Sequence, residues 1–318
     1  MVFEQVFEAP GYDTLTAEAA GIPNGTGKFW QITAPDGAIS HLWGTLHSAD
    51  LHILRQADQM RDVIESARVV AVEIDFTYPT REAYRAGQYI PERYNDATDP
   101  FEQLAERDAT IAGVSPEVTA WILDRALELG WTEDADLILS PQGMAEMLLS
   151  DPCEDFTARV TPIQDDYIAL MGRVAGAQVL GLESPDAFFS DLDDLPLTAD
   201  AIVAVYGAYL KPVRNNRARS TAFAIYAQGR LGLMQTWDKA FLNDVLGSAM
   251  PKALERTDDY LLDFRNQRFL EALADELPKG GVFIAVGSGH LPGENGLVEM
   301  LRRAGYTLKR LPLPGEVQ

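Results

Sequence analysis

The sequence contains few of the residues that most often carry chemistry. One cysteine, Cys153, and four histidines occur among 318 residues, so no intrachain disulfide can form. The acidic neighbours of Cys153 disfavour a thiolate, which makes this cysteine a poor candidate nucleophile. The chain also lacks a glycine-rich nucleotide-binding loop, the His-Glu-x-x-His motif of zinc proteases and the Gly-x-Ser-x-Gly motif of serine hydrolases. These absences direct attention to the histidines and the carboxylates.

Basic residues are scarce as well. The chain carries 26 lysines and arginines against 48 acidic residues, a formal net charge of −22. Nucleic acid and anionic membranes are therefore excluded as expected partners, because both are bound through clustered positive charge. Residues 101–200 form an acidic block, which we interpret as a solvated surface. The alternative is a docking face for a cationic partner.

Long apolar runs are absent too. No stretch approaches the roughly 20 apolar residues of a membrane-spanning helix, so no membrane span is predicted. As written, the first 21 residues have neither the basic start nor the continuous apolar segment of a signal peptide, which favours the cytoplasm. A leader removed ahead of this sequence would instead place the protein in the periplasm or outside the cell.

Apolar and β-branched runs predict six strands. Five of them lie toward the two ends of the chain, and one lies in its middle. The predicted strands are 28–33, 40–45, 68–76, 177–182, 281–286 and 306–311. Helical patterns occupy most of the remainder. We therefore predict one α/β domain over residues 28–318, with a central β-sheet formed by the N- and C-terminal segments, flanking helices and a helical insertion at roughly 79–175. Residues 1–27 are predicted to form an N-terminal arm.

Two of the four histidines occupy the same local setting. Residues 44–47 (GTLH) and 287–290 (GSGH) each follow an apolar strand, so both strands end in Gly-x-x-His. Glycine permits a sharp turn at a strand end, and open α/β sheets place their sites at the carboxyl ends of strands. Histidine titrates near neutral pH and is a common metal ligand. We interpret the pair as parts of one site; the alternative is two unrelated histidines at strand ends.

Two glutamates lie at comparable strand exits. Glu73 lies inside the apolar run VAVEIDF (70–76), where a carboxylate must be paired, protonated or bound to a cation. Glu183 directly follows the apolar segment VLGL (179–182). The alternatives are structural: Glu73 caps a neighbouring helix or pairs with an arginine, and Glu183 is an acidic residue at a helix start.

Arg265 and Asn266 lie in a predicted helix over 260–273 that has one apolar face. An arginine there neutralises a carboxylate ligand or binds an anionic substrate group through two hydrogen bonds, unless it is simply a solvated charge.

The two histidines and two glutamates together have the composition of a divalent-metal site that activates water. We predict that His47 and His290, with Glu73 or Glu183, hold the ion. The remaining glutamate would act as general base, and Arg265 would orient a carboxylate or stabilise a developing oxyanion. The residue patterns do not determine which glutamate has which role.

Six segments from about residue 28 to the end match one family pattern. They are LWGTLHSAD (42–50), VAVEIDF (70–76), GLES (181–184), IYAQGRLGLM (225–234), LLDFRNQRFLEAL (261–273) and VFIAVGSGHLPGENGLVEMLRRAGY (282–306). On these segments the sequence resembles the TraB/GumN family, within the grouping that includes TIKI metalloproteases, erythromycin esterases and ChaN haem-iron proteins. The last segment is the most specific, since it joins a strand, Gly-x-Gly-His, Leu-Pro-Gly and a helix.

The resemblance implies an EreA/ChaN-like α/β fold and a defined functional set. That set comprises Gly44, His47, Glu73, Glu183, Arg265, Gly287 and His290, with Asn266 and Gly289 as supporting motif residues. In TIKI-like members this set is associated with manganese- or cobalt-dependent proteolysis. In erythromycin esterases it is associated with metal-free ester hydrolysis. TraB-like members are linked to shutting down peptide pheromones. One departure concerns Arg265, because Phe264 precedes it where the family often has an acidic residue.

We therefore expect a hydrolase that depends on a divalent metal of the Mn, Co or Zn type, a peptidase in the first instance, acting on a peptide or small-molecule substrate. Two alternatives stay open. One is a protein that binds or sequesters a peptide, haem or metal ion without turnover, and the other is a metal-independent, esterase-like hydrolase with a histidine base. All three use the same residues. A homodimer is compatible with the sequence, which does not determine the oligomeric state.

Overall fold

A computed structural model describes residues 12–75, 114–128, 141–150, 163–211 and 215–317 of the chain. Within these ranges six strands form one mixed sheet in the order β4-β3-β5-β2-β1-β6. The strands are β1 (Phe29–Thr33), β2 (Ile39–Thr45), β3 (Val69–Ile74), β4 (Gln178–Glu183), β5 (Val282–Gly287) and β6 (Thr307–Arg310). All six strands predicted from the apolar runs are confirmed, with bounds that differ by one or two residues.

The direction of the strands determines where a site can form. Strands β4, β3, β5 and β2 are mutually parallel, whereas β1 runs antiparallel to β2 and to β6. The four parallel strands therefore end at one edge of the sheet. Strands β2 and β3 both pair with β5. The two segments that follow Thr45 and Gly287 therefore come to that same edge, together with Glu73 of β3 and Glu183 of β4.

Helices cover both faces of the sheet and form a second, all-helical layer. They are α1 (Tyr12–Ala19), α2 (Leu51–Ala57), α3 (Arg61–Glu65), α4 (Pro116–Glu128), α5 (Pro141–Ser150), α6 (Gln164–Ala175), α7 (Pro185–Asp194), α8 (Pro196–Tyr209), α9 (Asn215–Ala227), α10 (Leu231–Leu246), α11 (Met250–Asp258), α12 (Arg265–Leu273) and α13 (Leu297–Arg303). A π-helical turn, Asp259–Phe264, joins α11 directly to α12. None of the described helices has the length and apolar character needed to span a bilayer.

The core lies on both faces of the sheet, as the continuous apolar strands require. Val69 and Ala71 of β3 pack into one cluster, and their neighbours Val70 and Val72 pack into the cluster on the opposite face. Another apolar cluster unites α4, α5 and α8 and includes Ile202, which is fully buried. The structure is thus an α/β protein with a six-stranded central sheet flanked by helices.

The segments predicted as an arm and as a helical insertion are described only in part. Residues 1–11 of the arm lie outside the described residues, while α1 packs against α10 through Leu15 and Leu233. Helices α4, α5 and α6 fall within the predicted insertion at 79–175, and the rest of that stretch lies outside the described ranges.

Candidate functional site

The two Gly-x-x-His turns lie against each other at the carboxyl edge of the sheet. In the parallel pairing of β2 with β5, Thr45 is opposite Gly287. A Cβ atom added to Gly44 would lie 3.1 Å from the Cα of Ser288, and one added to Gly287 would lie 3.0 Å from the Nε2 of His47. Both first glycines are therefore needed for close approach, whereas a Cβ on Gly289 would make only ordinary contact at 3.5 Å.

Glu73 of β3 lies between the two histidines. Its side chain is 10 % exposed, and its Oε1 atom lies 3.6 Å from His47 Nε2 and 3.5 Å from His290 Nε2. The same oxygen accepts a hydrogen bond of 2.5 Å from the backbone N–H of Gly287. The carboxylate expected at this strand exit thus joins the histidines into one cluster.

Asn266 determines how His290 is oriented. The Asn266 Nδ2 group donates to the carbonyls of Asn295 (2.9 Å) and His290 (3.4 Å), so Oδ1 faces the imidazole. That oxygen lies 2.8 Å from His290 Nδ1 and can only accept, which assigns the proton to Nδ1. Burial lowers the pKa of His290 to about 4. At neutral pH its Nε2 therefore presents a free lone pair toward Glu73.

Asp165 plays the same part for His47. This aspartate, in the first turn of α6, accepts a hydrogen bond from Thr45 Oγ1 (2.7 Å) and lies 2.9 Å from His47 Nδ1. The acceptor carboxylate places a proton on Nδ1, so the Nε2 atom of His47 also faces Glu73. Burial acts to lower the pKa of His47, but the carboxylates of Asp165 and Glu73 outweigh it and raise the pKa to about 9.

Arg265 binds both glutamates. Its Nη2 donates to Glu73 Oε2 at 2.7 Å, and its Nε donates to Glu183 Oε1 at 2.5 Å. The guanidinium is 7 % exposed and lies between the rings of Phe188 and Phe269. Arg265 is the first residue of α12, directly after the π-helical turn, a feature that often marks functional positions.

The two carboxylates respond differently to this arginine. Burial would raise the pKa of Glu73, but Arg265, His290 and His47 hold it well below its ordinary value. For Glu183 burial prevails over the attraction of Arg265, and its pKa is raised. Within the described part of the chain, Glu183 Oε2 has no hydrogen-bond partner. Glu73 is therefore ionised at neutral pH, while Glu183 Oε2 is ion-paired with Arg268 Nη1 at 3.8 Å.

The structure brings together most of the residues singled out in the sequence. His47, His290 and Glu73 converge, Asn266 and Arg265 contact them, and Glu183 is linked to them through Arg265. Pairing of Glu73 with an arginine, foreseen as a structural alternative, occurs together with the histidine contacts. Sequence reasoning missed Asp165, whose only signal is an acidic pair in the first turn of a helix.

The donor atoms fit a divalent cation. One ligand atom from each of His47, Glu73 and Asp165 lies within 4.8 Å of the others. His290 Nε2 lies 3.5 Å from Glu73 Oε1, but within the described residues the set whose ligand atoms all lie within 4.8 Å of one another contains Asp165 and not His290. Nitrogen and carboxylate donors suit zinc, cobalt or manganese.

Comparison with known proteins gives a family and one distant relative. Residues 28–310 match the TraB/PrgY/gumN family. Metalloprotease TIKI1 from Homo sapiens is 34 % identical to this chain over 79 residues, which cover 23 % of this chain and 16 % of that protein. The match thus spans less than a fifth of the relative. No solved structure matches the chain.

Proposed function

The chain belongs to the TraB/PrgY/gumN family, and we propose that it is a hydrolase that depends on a divalent metal and cleaves a peptide bond. One observation carries the proposal: the Nε2 atoms of His47 and His290 both face Glu73 Oε1, at 3.6 and 3.5 Å. The similarity of one segment to a metalloprotease supports the same reaction class.

In this proposal His47, His290 and Glu73 hold the ion. Asp165 and Asn266 hold the imidazoles through their Nδ1–H groups, the arrangement in which outer hydrogen bonds orient metal-ligating histidines. A ligand set with Asp165 in place of His290 is the alternative, and among the described residues it is the set whose ligand atoms all lie within 4.8 Å of one another. The cation would supply Lewis acidity, which polarises a carbonyl and acidifies water.

The remaining groups hold charge and protons in place. Arg265 uses two of its nitrogens on Glu73 and Glu183, so we assign it to keeping both carboxylates fixed and Glu73 ionised. Glu183 is proposed as the proton acceptor, because its Oε2 makes no hydrogen bond to the described residues, with Arg268 Nη1 3.8 Å away, and because burial raises its pKa above the ordinary value. Of the two roles that the sequence left open for Glu183, metal ligand and general base, the proposal takes the second.

The test is turnover of a peptide library by the purified chain, with Mn²⁺, Co²⁺ or Zn²⁺ and with a chelator. We expect metal-dependent cleavage that His47→Ala abolishes. The matched control is His41→Ala, because His41 stacks on Phe29 in β1, away from the Glu73 cluster. Equal turnover with and without chelator would overturn the metal mechanism. Tight retention of a peptide without product would indicate a binding protein instead.

A further inference from the structure

The segment IYAQGRLGLM (225–234) contributes a fully buried tyrosine that the proposed chemistry does not use. The hydroxyl of Tyr226, in α9, lies 2.8 Å from the carbonyl oxygen of Gly44 and 2.8 Å from Gln164 Oε1. Gly44 opens the first Gly-x-x-His turn, and Gln164 directly precedes Asp165. The hydroxyl therefore lies between the two elements that position His47.

Gln164 joins these elements further. Its side chain is fully buried, and its Oε1 also accepts from the backbone N–H of Leu46 (3.1 Å) and from Trp43 Nε1 (3.4 Å). Its Nε2 donates to the carbonyl of Ile53 at 2.6 Å. Leu46 directly precedes His47, and Asp165 directly follows Gln164. These bonds therefore fix the start of α6 relative to the end of β2.

Lys28 supports the tyrosine from the other side. Its ammonium group lies 5.0 Å from the centre of the Tyr226 ring and donates to the Tyr226 carbonyl at 3.1 Å. Glu316 balances this buried charge, with Oε1 at 3.2 Å from Lys28 Nζ. The ring thus contacts the Lys28 ammonium group, and its hydroxyl proton is shared between two acceptors, the Gly44 carbonyl and Gln164 Oε1.

We propose that Tyr226 is a positioning residue of the site. Its hydroxyl, through Gln164 and Gly44, holds helix α6 and the first Gly-x-x-His turn in the register that lets Asp165 bind both Thr45 and His47 Nδ1. The expected effect of Tyr226 on metal affinity rests on the proposed function. Its effect on the Asp165–His47 hydrogen bond does not, because that bond exists without metal.

The test is Tyr226→Phe, which removes one hydroxyl and keeps the ring. With four histidines in the chain, the Nδ1–H signals of His47 and His290 can be assigned by nitrogen-edited NMR with single histidine variants. In the metal-free Tyr226→Phe variant, we expect the His47 Nδ1–H proton to exchange with solvent about fivefold faster than in the metal-free parent. This is the effect of losing one supporting hydrogen bond. The His290 signal, held by Asn266, stays unchanged. Mn²⁺ affinity should fall about tenfold.

The matched control is Tyr209→Phe, which removes the part-buried hydrogen bond from the Tyr209 hydroxyl to Asp238 Oδ2 (2.6 Å) in the helical layer. A general loss of stability would change the His47 signal in both variants, and this would overturn the inference. Gln164→Met provides a second variant, because it removes the shared acceptor and should reproduce the Tyr226→Phe result.

The two proposals fail differently. If the parent protein binds none of Mn²⁺, Co²⁺ and Zn²⁺ but His47 exchange accelerates in Tyr226→Phe, the positioning role stands and the metal hydrolase fails. If Mn²⁺ binds and Tyr226→Phe changes neither exchange nor affinity, the positioning role fails and the hydrolase stands.

Discussion

Asn266 Oδ1 lies 2.8 Å from His290 Nδ1, and the other two hydrogen bonds of the amide prevent it from turning over. The asparagine thereby determines which imidazole nitrogen faces Glu73. Asp165 does the same for His47 from a different helix. Two histidines from two strand ends thus turn their Nε2 atoms to one carboxylate, His290 as a neutral imidazole and His47 as an imidazolium whose Nε2 proton a bound cation would displace.

Asn266→Ala is expected to weaken Mn²⁺ binding by about 10–100-fold, because His290 loses the group that orients it. The Nδ1–H of His290 would also be left buried without a hydrogen-bond acceptor, which should lower the free energy of unfolding by about 1–3 kcal/mol. Calorimetric titration and denaturant unfolding measure the two effects. Asn266→Asp keeps the acceptor for His290 Nδ1 and loses only the two donated hydrogen bonds, so its Mn²⁺ affinity should exceed that of the alanine variant. Unchanged Mn²⁺ affinity in the alanine variant would remove His290 from the site.

Replacing Arg265 should destabilise the fold strongly. Arg265→Met leaves the buried carboxylates of Glu73 and Glu183 without their shared partner, at a cost of about 3–5 kcal/mol in the free energy of unfolding. Arg61→Met is the control, because its pairs with Asp58 and Glu65 are exposed and contribute little to stability. Similar urea midpoints for both variants would contradict the role given to Arg265.

Gly287→Ala and Gly289→Ala form a matched pair. The new methyl group at 287 would lie 3.0 Å from Glu73 Oε1 and from His47 Nε2, so it would push these groups apart. At 289 the nearest atom, Leu262 Cδ2, is 3.5 Å away. We expect Gly287→Ala to lose Mn²⁺ binding by about tenfold or more, as for other changes that misplace ligands, while Gly289→Ala binds normally. Equal affinities in the two variants would place the ion elsewhere.

The strands and the site edge were predictable from the sequence, because apolar β-branched runs followed by Gly-x-x-His or an acidic residue carry a local signal. Position along the strand also placed Glu73 at the same edge as the histidines. The contribution of Asp165 and Gln164 was not predictable, since they reach Thr45 and Trp43 across about 120 residues of chain. Arg265 was named from the sequence as the partner of a carboxylate ligand, but that it binds both Glu73 and Glu183 depends on packing.

Acid should destabilise the protein through His290. Its pKa falls from 6.5 in the unfolded chain to about 4 in the fold, so between these values the unfolded state binds the proton and stability falls as pH falls. The loss over the whole interval is about 3 kcal/mol, at about 1.4 kcal/mol per pH unit. The difference in unfolding free energy between the parent and His290→Gln isolates this contribution from the acidic groups that titrate nearby. A difference that does not change between pH 5 and 6.5 would contradict it.

Metal binding should release a proton from His47. Because Asp165 and Glu73 raise its pKa to about 9, His47 is protonated at neutral pH and the cation must displace that proton from Nε2. Apparent Mn²⁺ affinity should therefore rise about tenfold per pH unit up to about pH 9 and level off above it. Since His290 is already neutral across this range, only one proton should leave. Calorimetry in buffers of different ionisation enthalpy counts the protons directly.

Asp165→Asn removes the main charge that raises the pKa of His47, so the Mn²⁺ affinity of this variant should level off at lower pH. A parent affinity that is flat from pH 6 to 9 would show that His47 does not bind the ion.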